Sequence, residues 1–232
     1  MKVIVTGASK GIGRGIATHL ASEGFELGLV ARTSDELEAL CGQLSRQSKC
    51  HYAACDVRDE PAVTNAIGKL ANGMGGVDAL INNAGVVIRK SVYDVTLEEW
   101  HALIDTNVHG VFYATRAVLP RMKQQRHGHI INISSISGKV PLPGGSAYAA
   151  SKFAVTGFSQ SLFQEVRDDG INVSVIYPGS VDSASHRHDQ EDETSWKVQP
   201  EEVGRLCAHI LRYPAGTCVS EAEIRPRNKP SK

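Results

Sequence analysis

Short apolar segments alternate with longer helical patterns along nearly the whole chain, and this alternation restricts the fold more than any other feature. The apolar segments are rich in β-branched residues and end at turns, as buried strands do. Strands that alternate with helices predict a parallel sheet covered on both faces. We therefore expect one α/β domain over residues 1–232, a doubly wound Rossmann-like sheet of about seven strands with its ligand crevice at their carboxyl ends.

The pattern also predicts where the individual elements lie. The predicted strands are 3–6, 26–30, 50–55, 79–82, 129–134, 172–177 and 217–225. The predicted helices are roughly 13–23, one that begins at residue 33, 59–74, 96–106 and its resumption towards 122, 147–168 and 200–211. Two helices are expected to begin with a capping box, one formed by Thr33 with Glu36 and one by Thr96 with Glu99. Gly170 is a predicted C-cap.

Charge and hydropathy argue against several classes of partner. Twenty-five basic and twenty-five acidic side chains cancel to a formal net charge of zero, so no basic surface for nucleic acid is expected. The apolar run before Thr6 is too short for a signal peptide or a membrane span, which predicts a cytoplasmic protein without a membrane partner. The five cysteines are odd in number and include no C-x-x-C pair, which favours reduced thiols.

A glycine-rich turn, TGASKGIG, joins the first predicted strand to the first predicted helix at residues 6–13. Glycines let the backbone turn sharply and approach a pyrophosphate, whose charge lies at the helix N-terminus. Dinucleotide binding is therefore predicted, and a purely structural turn is the alternative. The candidate cofactor-binding residues of this turn are Gly7, Ser9, Lys10, Gly11, Ile12 and Gly13.

The residues after the second predicted strand indicate which dinucleotide is bound. An NAD site usually carries an acidic residue at the end of this strand, where it holds the ribose 2′-hydroxyl. Ala31 takes that position here, Arg32 follows it, and Lys10 stands in the turn on the same side. Two cations without a carboxylate suit a 2′-phosphate, which predicts NADP(H) as the cofactor. The alternative is a pair of solvated surface charges.

Two further segments end the third and fourth predicted strands. After the third strand, a carboxylate is expected to accept from an adenine amino group and a valine to flank the ring. The segment 82–85, Asn-Asn-Ala-Gly, permits close approach to a ribose, and an asparagine there can brace neighbouring backbone. Taken singly, each segment is equally consistent with a turn, but at successive strand ends they fit one binding crevice. The candidate cofactor-binding residues are Asp56, Val57, Asn83, Ala84 and Gly85.

Tyr148 and Lys152 lie four residues apart in a predicted helix, and Ser135 lies thirteen residues before the tyrosine. The spacing of four places the phenol and the ammonium on one helical face. A free tyrosine titrates near pH ~10, and a neighbouring cation is expected to lower that pKa. The phenol would then serve as an acid or base near neutrality.

Together these motifs resemble the short-chain dehydrogenase/reductase family in its commonest form. The resemblance covers nearly the whole chain, strongly from residue 3 to about residue 181, and it extends to Asn107 and to the Pro178-Gly179 pair. It implies an NADPH-dependent oxidoreductase that interconverts a carbonyl and an alcohol by hydride transfer. It also implies a homodimer or homotetramer that acts on a small-molecule carbonyl or alcohol.

The resemblance implies roles for individual residues. Tyr148 would be the general acid or base, and Lys152 would lower its pKa and hold the nicotinamide ribose. Ser135 would bind the substrate oxygen, and Asn107 would hold a water in a proton relay to Lys152. The implied catalytic residues are Asn107, Ser135, Tyr148 and Lys152. The residues expected to contact the nicotinamide are Pro178, Gly179 and Val181.

Three alternatives stay open. Ser134, or less directly Ser137, is the alternative to Ser135 as the serine of the site. A 3-oxoacyl-(acyl-carrier-protein) reductase is the alternative activity, although the Val-Asp-Gly-Gly ending of those reductases is missing here. A non-catalytic NADP-binding regulatory protein is the alternative of a different class.

The resemblance is weakest after the sixth predicted strand, where residues 183–197 are expected to form a short substrate lid. The polar residues of this segment follow no zinc-ligand spacing, so solvated side chains are expected rather than a metal site. The residues of this segment interpreted in this way are His186, His188, Asp189 and Asp192, and the same interpretation applies to His127 and His129 elsewhere in the chain. Subunit packing is expected through the helices at 96–122 and 147–168, although core burial would equally explain their aromatic residues. Those aromatic residues are Phe112, Phe153, Phe158 and Phe163.

Overall fold

A computed structural model describes residues 1–183 and 195–228, within which seven parallel strands form one sheet. The strand order is β3-β2-β1-β4-β5-β6-β7, so the chain leaves β1 towards one edge and returns to its other side with β4. The carboxyl ends of β1 and β4 therefore flank the point where the winding reverses, which is where sheets of this type bind ligands. The predicted α/β fold is confirmed. The strands are β1 (Lys2–Thr6), β2 (Glu26–Ala31), β3 (Cys50–Ala54), β4 (Ala79–Asn82), β5 (Gly128–Ile133), β6 (Ile171–Pro178) and β7 (Glu221–Ile224).

Helices cover both faces of this sheet. Successive side chains of a strand point to opposite faces, so Val3 and Val5 pack in one apolar cluster and Ile4 packs in the other. The first cluster lies beneath α1, α2 and α7, and the second beneath α3, α5 and α6. The helices are α1 (Gly11–Ser22), α2 (Ser34–Leu44), α3 (Glu60–Met74), α4 (Leu97–Ile104), α5 (Gly110–Gln125), α6 (Ser146–Val166) and α7 (Pro200–Leu211).

The helix ends test the predicted capping boxes. In α4 the Thr96 hydroxyl accepts from the Glu99 backbone N–H at 3.2 Å, and the Glu99 carboxylate accepts from the Thr96 N–H at 3.0 Å, so this capping box is confirmed. The capping box predicted for α2 is wrong, because the Thr33 side chain makes no capping hydrogen bond. Glu36 turns instead towards the glycine-rich turn. Gly170 is left-handed, with φ 77°, as a C-cap glycine should be.

A five-residue π-helix, Asp105–His109, joins α4 to α5. It spans the place where the predicted helix was expected to end, near residue 106, before resuming towards residue 122, and it leaves the Asn107 side chain fully buried. Wide turns of this kind often mark functional sites. The final strand is also shorter than predicted, because the Thr217 N–H donates to the Pro214 carbonyl in a turn instead of joining the sheet.

Helices α1 and α7 are in unusually close contact. A Cβ added at Gly15 would lie 2.3 Å from Cβ of Pro200, and one added at Gly204 would lie 2.7 Å from Cβ of His19. Both distances are far shorter than atoms in contact allow, so only glycine fits at these two positions. The sequence predicts α7 as a late helix but does not indicate its partner.

The remaining structural predictions concern the substrate lid and membrane-spanning segments. Most of the predicted lid, including His186, His188, Asp189 and Asp192, lies outside the described residues. Within residues 1–183 and 195–228, no helix is long and apolar enough to cross a membrane.

Candidate active site

A cleft of about 660 Å³ opens at the carboxyl ends of the central strands. It contains the glycine-rich turn, the strand-end segments and the Tyr148–Lys152 pair. The predicted site residues that line it are Gly7, Ser9, Lys10, Gly11, Ile12, Arg32, Asp56, Val57, Asn83, Ala84, Gly85, Tyr148 and Lys152. Those not among the described lining residues are Gly13, Asn107, Ser135, Pro178, Gly179 and Val181.

The glycine-rich turn is fixed to the fourth strand by hydrogen bonds. The Thr6 hydroxyl accepts from the backbone N–H groups of Asn83 and Ala84, both at 3.1 Å. The Asn83 amide donates to the Thr6 carbonyl at 3.1 Å and to the Gly7 carbonyl at 3.2 Å, which is the bracing expected of an asparagine here. Gly7 has φ 65°, and a Cβ on Gly13 would lie 2.1 Å from the Gly7 carbonyl oxygen. The turn is therefore tight and rigid.

The N-terminus of α1 faces this cleft without a side-chain cap. Lys10 is the N-cap residue but its side chain makes no capping hydrogen bond, and the first turn of α1 carries no acidic residue. Uncapped N–H groups at the positive end of a helix dipole favour an anionic group. The donor set at this end of the cleft therefore fits a pyrophosphate.

Lys10 and Arg32 both line the cleft, but a carboxylate lies with them. Lys10 Nζ is 2.7 Å from Glu36 Oε1, and Glu36 also lines the cleft. The Lys10 ammonium holds the pKa of Glu36 below its usual value, and the Ser9 hydroxyl acts in the same direction. The expectation of two cations without a carboxylate is thus corrected. Sequence reasoning missed this contact because it assigned Glu36 to a capping box.

Asp56 is already engaged by a neighbouring side chain. Its carboxylate accepts from Arg58 Nε at 3.0 Å and from Nη2 at 2.6 Å, and also from the Arg58 backbone N–H at 3.0 Å. The Arg58 side chain holds the pKa of Asp56 below its usual value. Arg58 lines the cleft as well and was not predicted, although its spacing of two from the aspartate was visible.

Tyr148 and Lys152 lie one turn apart on α6 and are each only 6% exposed. Lys152 Nζ donates to the Ile133 carbonyl at 3.0 Å and lies 6.0 Å from the centre of the Tyr148 ring. Burial lowers the pKa of Lys152 to about 8. At pH 7 this side chain is therefore still mostly a cation, held beside the phenol as predicted.

The net shift of the Tyr148 pKa is opposite to the predicted lowering, because burial outweighs the groups that favour the phenolate. Burial raises the pKa of the Tyr148 phenol, and the nearby Ser135 hydroxyl and the Arg89 charge offset only part of that increase. The apolar segment Val86, Val87 and Ile88 packs against the small cluster of Leu103, Ala147 and Tyr148. The phenol therefore keeps its proton at neutral pH. Arg89 follows that segment and was not predicted.

The serines at positions 134, 135 and 137 make different contacts. The Ser134 hydroxyl donates to the Lys152 backbone carbonyl at 3.1 Å, which fixes β5 to α6. The Ser135 hydroxyl accepts from the Ser137 N–H at 3.1 Å and faces the Tyr148 phenol. Of these serines, Ser135 is the one whose hydroxyl lowers the pKa of the phenol, which leaves the choice of Ser135 over Ser134 as a prediction.

Asn107 connects the loop after β4 to the helix that carries Tyr148. Its Oδ1 accepts from the Val86 N–H at 2.8 Å, and its Nδ2 donates to the Val86 carbonyl and to Ser151 Oγ, both at 3.0 Å. Ser151 Oγ in turn donates to the Tyr148 carbonyl at 2.7 Å. A Cβ on Gly85 would lie 3.1 Å from Asn107 Oδ1 and 3.7 Å from Lys152 Nζ, so the two side chains are neighbours.

Of the residues predicted at the nicotinamide end, Pro178 and Val181 are buried and Gly179 is half-buried. Val181 is 3% exposed, belongs to the apolar core and pairs with Val198 in a β-bridge. The Gly179 N–H donates to the Ile224 carbonyl at 2.8 Å, which extends the pairing of β6 with β7. Pro178, also predicted, ends β6 beside them.

His127 and His129, both predicted to be solvated, lie in different surroundings. His127 is exposed and its Nε2 lies 3.0 Å from Asp78 Oδ1, so that carboxylate raises the pKa of the imidazole. The solvated position predicted for His129 is wrong: it is buried, its Nε2 lies 2.7 Å from Ser174 Oγ, and burial lowers its pKa to about 4. In the described parts of the chain, no three His, Cys, Asp or Glu side chains are grouped to bind a metal. The five cysteines are free thiols.

Known proteins resemble this chain over its full length. The family model described as short chain dehydrogenase matches residues 1–194. An uncharacterized oxidoreductase of Staphylococcus aureus (strain MRSA252) is 35% identical over 224 residues, which cover 96% of each chain.

Solved structures share the fold. An alcohol dehydrogenase from the archaeon Thermococcus sibiricus, complexed with 5-hydroxy-NADP, has a TM-score of 0.91 at 27% identity and covers 100% of this chain and 99% of its own. The closed form of a serine dehydrogenase complexed with NADP+ has a TM-score of 0.91 at 30% identity, covering 100% of this chain and 98% of its own.

Proposed function

The chain belongs to the short-chain dehydrogenase family, and from this premise we propose that it is an NADP(H)-dependent oxidoreductase that interconverts a carbonyl and an alcohol. One observation carries the proposal. A buried, protonated Tyr148 and a buried Lys152 lie side by side in the same cleft as an uncapped helix N-terminus and two cations. A proton donor is thus placed beside a site that suits a phosphorylated dinucleotide.

The residues of the cleft suit each part of this cofactor. The glycine-rich turn and the N-terminus of α1 would hold the pyrophosphate, and Lys10 with Arg32 would hold the 2′-phosphate. Asp56 and Val57 would contact the adenine, and the segment after β4 would contact a ribose. When bound, the cofactor supplies or accepts the hydride. The NADP-type ligands in the two similar structures support this choice of cofactor.

In carbonyl reduction, the Tyr148 hydroxyl would donate its proton to the substrate oxygen as that oxygen gains negative charge. Its raised pKa suits this direction, because the phenol is protonated when substrate arrives. The Ser135 hydroxyl would donate a hydrogen bond to the same oxygen. The Lys152 cation would stabilise the phenolate that remains, since opposite charges close together in a buried site attract strongly. Alcohol oxidation reverses these transfers.

The proposal also assigns roles to residues around the catalytic pair. Asn107 would position Lys152 and hold a water that returns the proton from solvent, and Pro178, Gly179 and Val181 would shape the nicotinamide end.

We also infer a cytoplasmic homodimer or homotetramer. Phe112 on α5 and Phe153 on α6 are each 44% exposed, which suits subunit contact, whereas Phe158 and Phe163 pack against the core.

The experiment measures NADPH oxidation with a panel of ketones, aldehydes and acetoacetyl thioesters. Tyr148→Phe removes the hydroxyl and should reduce turnover by roughly a hundred- to ten-thousand-fold while NADPH still binds. Tyr213→Phe makes the same chemical change at an exposed residue after α7 and should leave turnover unchanged.

Three results would contradict parts of the proposal. Equal turnover by wild type and Tyr148→Phe would remove the tyrosine from the mechanism. NADPH binding without turnover on any carbonyl would favour the regulatory protein. Turnover confined to thioesters would favour the acyl-carrier-protein reductase.

A further inference from the structure

One carboxylate in the cleft has no part in the function proposed above. Glu36 lies at the third position of α2, its Oε1 is 2.7 Å from Lys10 Nζ, and both side chains line the cleft together with Arg32. Lys10 is 66% exposed and Glu36 is 35% exposed, so both remain accessible to a ligand. The acidic group therefore lies at the end of the cleft where the cofactor's 2′-substituent is expected.

The N-terminus of α2 indicates that the ion pair between Glu36 and Lys10 takes the place of a capping hydrogen bond. Glu99 holds the equivalent position in α4, where its carboxylate bonds to the Thr96 backbone and also to Lys90 at 2.6 Å. Glu36 could cap α2 in the same manner, but Thr33 makes no capping hydrogen bond. The side chain thus forgoes a stabilising helix contact and is directed into the cleft.

The charges at this end of the cleft are more balanced than the sequence suggests. Lys10 and Arg32 contribute two positive charges and Glu36 removes one, so the formal sum is +1. Asp56 and Arg58 form a pair of their own and add nothing to this sum. Among the residues that the structure describes at this end of the cleft, a dianionic 2′-phosphate meets one cation without an ion pair (Arg32), one cation already paired (Lys10), and one repelling carboxylate (Glu36). A ribose 2′-hydroxyl instead meets an acceptor to which it can donate.

We propose that Glu36 determines cofactor specificity by competing with the 2′-phosphate for Lys10 and by accepting a hydrogen bond from the ribose of NAD(H). The inference rests on the proposed function, because it concerns the same cofactor site. In this arrangement Lys10 binds Glu36 when no 2′-phosphate is present and turns to the phosphate when NADP(H) binds. The protein accepts NADH as a second cofactor, and its preference for NADPH is smaller than two unopposed cations would give.

The test compares cofactor dissociation constants, measured by fluorescence titration of NADPH and of NADH against the whole protein. Glu36→Gln keeps the shape of the side chain and removes its charge. This variant should bind NADPH about fivefold more tightly and NADH about threefold more weakly, as expected for partly exposed charge contacts. Glu38→Gln is the matched control, since it removes the same charge from an exposed position of the same helix outside the cleft. It should change neither constant.

A double-mutant cycle adds a second readout. If Glu36 competes for Lys10, then Lys10→Met should weaken NADPH binding more in the Glu36→Gln background than in wild type, because Lys10 is unopposed there. Equal effects in the two backgrounds, or an unchanged NADPH-to-NADH ratio in Glu36→Gln, would overturn the assignment of Glu36 alone. Failure of wild type to bind either cofactor would overturn the proposed function together with this inference.

Discussion

Replacing Lys152 by methionine should make the protein more stable at neutral pH and abolish its turnover. Lys152 is buried, and among the described residues its ammonium makes no ion pair. Burial lowers its pKa from 10.5 to about 8. Each pKa unit corresponds to about 1.4 kcal/mol, so holding this cation in the folded protein at pH 7 costs about 3 kcal/mol.

Methionine has a similar length and carries no charge, so the variant avoids this cost. It loses the hydrogen bond from Lys152 Nζ to the Ile133 carbonyl, which leaves a buried acceptor unpaired and costs about 1 kcal/mol. The free energy of unfolding of Lys152→Met should therefore exceed that of wild type by about 2 kcal/mol at pH 7. Turnover should disappear, because the phenolate loses its neighbouring cation.

The difference in the free energy of unfolding between Lys152→Met and wild type should change with pH in a defined direction. The folded protein releases the Lys152 proton near pH 8, whereas the unfolded chain holds it to about pH 10.5. Between these values the unfolded state binds more protons, so wild type gains stability as pH rises. The advantage of the methionine variant should shrink across this window and vanish before pH 10.5. Titratable groups that the variant and wild type share contribute equally to both free energies of unfolding, so they cancel in the difference.

Urea unfolding at equal protein concentration, repeated from pH 7 to pH 10, measures this difference. Lys69→Met, on an exposed position of α3, is the control and should show no such pH-dependent gap. If Lys152→Met is less stable than wild type at pH 7, or if the difference does not change with pH, then burial of the charge is not the cost inferred here.

Two further predictions follow from the cleft and from the packing of the helices. Arg32→Asp should weaken NADPH binding at least roughly tenfold and narrow or reverse the gap to NADH in fluorescence titrations, and tighter NADH binding by wild type would contradict the role of this cation. Gly15→Ala should lower the free energy of unfolding by about 1–3 kcal/mol, because the new methyl would collide with Pro200. Gly42→Ala, whose methyl would meet nothing within 4 Å, should instead stabilise α2, and equal urea midpoints for the two variants would contradict the close contact.

The sequence predicts those parts of the site that depend on local pattern and sheet direction. The glycine-rich turn, Asp56 and Asn83 each follow a strand, and parallel strands bring their carboxyl ends to one edge. Strand direction alone therefore predicts that these segments lie in one cleft, and no side-chain contact needs to be known. Tyr148 and Lys152 share a helical face because four residues make about one turn.

The missed features depend on competition between interactions of similar strength. Glu36 had two available partners, the backbone of its own helix and Lys10, and the sequence does not rank them. The pKa of Tyr148 depends on the balance between burial and nearby charge, and the tyrosine belongs to an apolar cluster whose members come from distant parts of the sequence. His129 lies at the start of a strand, and its burial becomes visible only when Ser174 of the adjacent strand is placed beside it.

The glycine contact between α1 and α7 has a consequence for the order in which the protein can form. Helix α1 emerges from the ribosome before α7, with most of the sheet between them in the chain. Until α7 is synthesised, the face of α1 that contains Gly15 is without its partner and exposes the apolar cluster beneath. The part of the sheet beneath α1 is therefore expected to fold fully only after α7 has been synthesised, when contacts distant in sequence can close.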